Sequence, residues 1–161
     1  MNQEISSSGT FGAKFMNPSF SVLLVDDNRV NQFLGKRILQ NLGIKNIELA
    51  GNGEDAFYMV QQRDFDVLLT DVEMPGMDGY ELSMAIRHSE KIKNKKLIII
   101  ALTANASEED RDKAKAAGID DYLTKPYSPQ DLLEILQNNL SHRDDFLLED
   151  IQPTERSEFH P

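Results

Sequence analysis

Short apolar runs alternate along this chain with stretches of helical period, and that alternation constrains the fold more than any other feature. Phe20 to Val25 is the first run, with β-branched members, and reads as a buried strand. Val30, Phe33, Leu34, Ile38 and Leu42 follow at three- and four-residue spacings, and Gly43 marks the stop. Ile47 to Ala50 is a second short strand, Gly51-Asn52-Gly53 turns the chain, and Ala56, Phe57 and Val60 line the next helix. Val67 to Thr70 is the third strand, and a loop from Met74 to Gly79 leads to a helix over Tyr80 to Arg87. Leu97 to Leu102 is six apolar residues in a row, which requires a strand covered on both faces. Ser107 with Glu108, Glu109 and Asp110 predicts an N-cap and an acidic first turn, for a helix ending at Gly118. Asp121 to Thr124 is the last strand, and Pro129 opens a helix through Leu140. Five strands alternating with five helices mean an α/β fold, a parallel sheet with helices on both faces.

The pattern divides the chain into a polar, flexible segment at 1–19, one domain at 20–140 and an acidic tail at 141–161 with two basic and six acidic residues. A length of 161 residues suits a single domain. The net charge of -10 excludes a nucleic-acid surface, which needs clustered Lys and Arg. No apolar run approaches the roughly 20 residues of a membrane span, and the N-terminus is not a signal peptide. The chain has no cysteine, so thiolate metal sites and disulfides are excluded, in keeping with a cytoplasmic location.

Sites in an open α/β sheet form outside the carboxyl ends of the strands, where strand order reverses. Asp26 and Asp27 follow the first strand, Asp71 the third, Thr103 the fourth and Lys125 the fifth. Three neighbouring carboxylates repel unless a cation joins them. An all-oxygen set without Cys or His suits magnesium. One carboxylate then becomes a nucleophile toward phosphorus, with Thr103 as a hydrogen-bond donor and Lys125 as a counter-charge to a phosphoryl group. Taken singly, each residue has a plainer reading. An Asp pair ending a strand is often a cap, a strand-end threonine is often structural, and a lone lysine is usually surface. Glu73 reads as a solvated loop acid, Tyr122 as a packed strand residue, and His88, His142 and His160 as scattered surface residues. The specificity lies in which strands these groups follow.

Val25-Asp26-Asp27-Asn28, Leu69 to Gly79, Ala101-Leu102-Thr103-Ala104 and Asp121 to Pro126 together resemble the receiver domains of bacterial two-component systems, over about Phe20 to Leu140. The resemblance implies a doubly wound, five-stranded flavodoxin-like (βα)5 fold of strand order 2-1-3-4-5. It implies that Asp71 is the phosphoacceptor for a phosphohistidine. Asp26, Asp27 and Asp71 would hold Mg2+ with the backbone carbonyl of Glu73, Asp26 through water. Thr103 and Lys125 would bind the phosphoryl group, and Tyr122 would reorient on activation. A cis bond is implied at Lys125-Pro126. The implied partners are a histidine kinase or histidine phosphotransfer protein, meeting Asn31, Leu34, Pro126 and Tyr127, and a downstream protein target. By periodicity alone Leu34 is a core residue, whereas the resemblance makes it a partly exposed contact. The segments around Asn28 and Asn105 are most similar to receivers of hybrid kinases and phosphorelays, which leaves a stand-alone receiver and one excised from a hybrid kinase equally open.

Two other readings compete with this switch, which would catalyse only its own phosphorylation and dephosphorylation. One is a magnesium-dependent phosphohydrolase of the haloacid-dehalogenase type. That enzyme wants an Asp two residues after its nucleophile, where this chain has Glu73. The other is an inert interaction module with an acidic pocket.

Overall fold

The structure is a computed structural model that describes residues 13–15, 17–94, 96–141 and 148–150. Much of the expected lead-in and tail, with His142 and His160, therefore lies outside the described residues.

Five parallel strands form the central sheet: β1 (Ser21–Val25), β2 (Asn46–Ala50), β3 (Val67–Asp71), β4 (Ile98–Thr103) and β5 (Asp121–Thr124). Their spatial order is β2-β1-β3-β4-β5. Between and after them run α1 (Arg29–Asn41), α2 (Gly53–Gln62), α3 (Gly79–His88), α4 (Glu108–Ala116) and α5 (Pro129–Leu140). Ala13–Phe15 and Leu148–Asp150 pair antiparallel with each other as a separate ribbon.

Alternation within each strand builds two cores from one sheet. Leu23, Leu68 and Ile99 face one side, where they meet Ala56 and Val60 of α2, Leu82 and Ile86 of α3, and Ala114 of α4. Val22, Leu24, Val67, Leu69, Ile98 and Ile100 face the other, against Leu39 of α1 and Leu132, Leu136 and Leu140 of α5. Both faces of β1, β3 and β4 are thus dry, which is why these strands read as continuous apolar runs.

Every helix opens on a side-chain cap. Asn28, Asn52, Asp78, Ser107 and Ser128 each accept a hydrogen bond from the backbone N–H three residues on. Asp78 with Glu81 and Ser128 with Asp131 close reciprocal capping boxes. Gly43 and Gly118 end α1 and α4 with φ of 94° and 87°, a left-handed backbone that disfavours side chains.

The first helix departs from its periodicity. Ile38 and Leu42 pack toward the sheet, but Val30, Phe33 and Leu34 are 64%, 58% and 53% exposed. The buried face of α1 runs instead through Gly35, Ile38, Leu39 and Leu42, with Gly35 against Leu24 of β1, so Val30 and Phe33 fall on the opposite side and Leu34 on its flank.

Candidate functional site

Chain order reverses about β1: β2 lies on one side of it and β3 on the other. The crevice at their carboxyl ends receives whatever residues follow these two strands. Val25 pairs with Thr70, so the next residues, Asp26 and Asp71, emerge side by side. Both are buried, at 2% and 9% exposure, while Asp27 is exposed. Asp26, Asp27 and Asp71 each offer a carboxylate oxygen, and these oxygens lie within 4.8 Å of one another.

Lys125 reaches this cluster from the end of β5. Its Nζ stands 3.3 Å from Asp26 Oδ2 and 3.3 Å from Asp71 Oδ1. One ammonium therefore spans the two buried acids. Its backbone N–H donates to the Thr103 carbonyl at 2.7 Å, which ties the ends of β4 and β5 together. The Lys125–Pro126 bond is cis, as the resemblance implies.

Burial pushes the Asp71 carboxyl above the usual value of 3.8; Lys125 opposes this, Asp26 adds to it, and the Glu73 N–H, which hydrogen-bonds the carboxylate, opposes it. Asp26 is held differently: its Oδ1 accepts the Asn28 N–H at 2.9 Å, which fixes the turn into α1. Glu73 itself is an exposed loop acid.

Thr103 sits at the end of β4, but its hydroxyl is turned into the loop. It donates to the Asn105 carbonyl at 2.7 Å and accepts the Asn105 N–H at 3.1 Å. Tyr122 is partly buried on β5 and packs against the core on the α2–α4 side. The Arg111 guanidinium stands over its ring, 4.9 Å from the centroid. A void of about 10 Å³ lies between Thr103, Ala101, Ala114 and Tyr122. The space is about what one water needs and leaves no room for an aromatic ring.

Asn31, Leu34, Pro126 and Tyr127 come together as walls of one groove that Asp26 and Lys125 also line. Phe33 and Arg37 also line it, and its volume is about 680 Å³. Periodicity assigned Phe33 to the helix pattern and gave it no site role. The excess of apolar residues in the first two turns of α1 was the available signal.

Gly79 is a site residue that the sequence reading passed over. A Cβ there would sit 2.5 Å from the Asp71 carbonyl oxygen and 2.9 Å from Val72 Cα. Only glycine lets α3 start against the backbone that carries Asp71. The signal was a glycine directly after the Asp78 cap.

A sequence profile of the response regulator receiver domain matches residues 22–137. The chain belongs to the response regulator receiver domain family. It is 42% identical over 116 residues to the sensor protein GacS of Pseudomonas syringae pv. syringae, covering 71% of this chain but only 13% of that protein. Among solved structures it resembles the receiver domain of the sensor histidine kinase PA1611 from Pseudomonas aeruginosa, crystallised with magnesium in its active-site cleft. The identity is 37%, the TM-score 0.67, and the match covers 76% of this chain and 98% of that one. It also resembles one chain of the Saccharomyces cerevisiae co-crystal structure of the histidine phosphotransfer protein Ypd1 with the receiver domain of Ssk1, at 30% identity and a TM-score of 0.69, covering 81% of this chain and 98% of that one. The receiver assignment leaves the haloacid-dehalogenase reading without support. No helix among the described residues is long and apolar enough to cross a membrane.

Proposed function

We propose that this receiver takes a phosphoryl group from a phosphohistidine onto Asp71, in a reaction that needs Mg2+, and then changes its surface or passes the phosphoryl group on. The single observation that carries this is the convergence of Asp26, Asp27 and Asp71 within 4.8 Å, with Lys125 at 3.3 Å from two of them. One ammonium does not balance three carboxylates, so the cluster retains a demand for a cation. Its donors are all oxygen, which fits magnesium; Asp26, Asp27 and Asp71 would hold it with the Glu73 carbonyl. When bound, magnesium neutralises charge that gathers as the phosphoryl group arrives.

The chain's own groups do the rest. An Asp71 oxygen attacks phosphorus, the new O–P bond forms as the N–P bond breaks, and the leaving imidazole keeps the electron pair and takes up a proton. Lys125 pairs with the transferred oxygens. Thr103 exchanges its bond to Asn105 for one to a phosphoryl oxygen and turns away from the space beside Tyr122. The enlarged void then admits the Tyr122 ring, which leaves its place under Arg111. The surface of α4, β5 and α5 changes with it, for a downstream protein to read. The chain acts on no other substrate; it catalyses only its own phosphorylation and dephosphorylation.

The donor is a histidine kinase or a histidine phosphotransfer protein. The yeast phosphotransfer–receiver complex supports this for a related receiver. The groove from Phe33 and Leu34 down to Lys125 supports an approach along α1, with Asn31, Leu34, Pro126 and Tyr127 as contacts. We assign the switch to residues 20–140, with 1–19 and 141–161 as flanking segments, and the cytoplasm as its location. Titration with magnesium and then beryllofluoride, followed by NMR, tests the reading. Shifts at Asp71, Thr103 and Tyr122 are expected, lost in Asp27→Asn. A pocket that ignores both additions refutes it and leaves an inert interaction module.

A further inference from the structure

Asp26 and Asp71 are buried and anchored by Lys125, but Asp27 is exposed, so its place in the cluster depends on its backbone. That backbone is gripped from an unexpected side. Gln32, one turn into α1 and partly buried, donates from Nε2 to the Asp26 carbonyl at 2.6 Å and toward the Ala50 carbonyl at 3.4 Å. Both partners are carbonyl oxygens, so only the amide nitrogen suits this position. Ala50 O already accepts the Asp26 N–H at 3.1 Å, the last rung between β1 and β2. The Gln32 amide thus adds a further rung past the end of the ladder and joins α1 to both strand ends.

We propose that Gln32 is a positioning residue for the acidic cluster, acting on Asp27. The Asp26 carbonyl and the Asp27 N–H belong to one rigid peptide plane. Holding that carbonyl fixes the plane and hence the direction in which the Asp27 Cα–Cβ bond leaves the chain. Without the amide the plane is free to tilt, and the exposed Asp27 carboxylate drifts from Asp26 and Asp71. The inference rests on the reading of these three acids as a magnesium site.

The test uses the full chain and magnesium alone, titrated calorimetrically. Gln32→Met keeps the length of the side chain and removes both donors. The Kd for magnesium is expected to rise roughly 2- to 10-fold, the worth of about one hydrogen bond. Gln40→Met, an exposed change at the far end of the same helix, should leave Kd unchanged. A residue that merely braced the edge strand would lower the unfolding midpoint in EDTA and leave Kd alone, and that result overturns the proposal. The Gln32 side-chain amide protons of the wild-type chain give a reading independent of any variant's folding. They should shift on magnesium addition with the calorimetric Kd; their failure to move overturns it equally. Wild-type binding that Asp27→Asn abolishes and Gln32→Met leaves untouched rejects Gln32 alone. Absence of binding to the wild type rejects the metal reading and this inference together.

Discussion

Leu34→Ala separates a core helix residue from a contact residue on α1. Fully burying a leucine side chain is worth about 1.5–3 kcal/mol. Leu34 is 53% exposed, so truncation forfeits roughly half of that, about 1 kcal/mol, and opens no closed cavity because the removed atoms border the groove. Alanine's better helix propensity returns a few tenths. Leu39, on the same helix and fully buried, is the internal standard: Leu39→Ala should cost roughly 2–5 kcal/mol. Equilibrium urea denaturation measures both. Phosphotransfer is then followed from a histidine phosphotransfer protein and from acetyl phosphate. Leu34→Ala should slow transfer from the protein donor and leave the small donor's rate as it was. A loss of more than about 2 kcal/mol, or equal slowing with both donors, refutes the assignment.

Asp71→Asn should stabilise the metal-free protein at neutral pH. Burial holds the folded Asp71 carboxyl above 3.8, so the native state binds the proton more tightly than the unfolded chain. Stability from this group is therefore present below 3.8 and declines as pH rises through the folded value. Asn, neutral throughout, should raise the unfolding midpoint in EDTA at pH 7 and give a smaller gain near pH 4; an unchanged or lower midpoint at pH 7 contradicts the burial argument. Gly79→Ala forces a Cβ to 2.5 Å from the Asp71 carbonyl, so it should cost roughly 1–3 kcal/mol or more in denaturation and impair phosphorylation as well; a neutral outcome would mean α3 shifts freely.

The sheet was legible because parallel strands covered on both faces must be apolar throughout, and Leu97 to Leu102 shows this without alternation. Cap chemistry placed Ser107 and Pro129 at helix starts to within a residue. The convergence of Asp26, Asp27, Asp71 and Lys125 was legible, because strand ends converge at the switch point whatever their distance in sequence. Three features were not. The exposure of Phe33 and Leu34 depends on α1 turning its Gly35–Leu39 face to the sheet, a choice the apolar spacing does not encode. The turning of the Thr103 hydroxyl toward Asn105 depends on one rotamer. The Gln32 amide is read as a surface polar residue until the two carbonyls that it meets, 6 and 18 positions away, are brought beside it by the fold.

The most direct measurement of the central claim is the fate of label on the intact chain. Incubation with acetyl phosphate and magnesium should add one phosphoryl group by intact mass, located to Asp71 by peptide mapping after borohydride reduction. It should be removed by hydroxylamine, as an acyl phosphate is, and absent from Asp71→Asn. Label that survives hydroxylamine, or that persists in Asp71→Asn, contradicts the account.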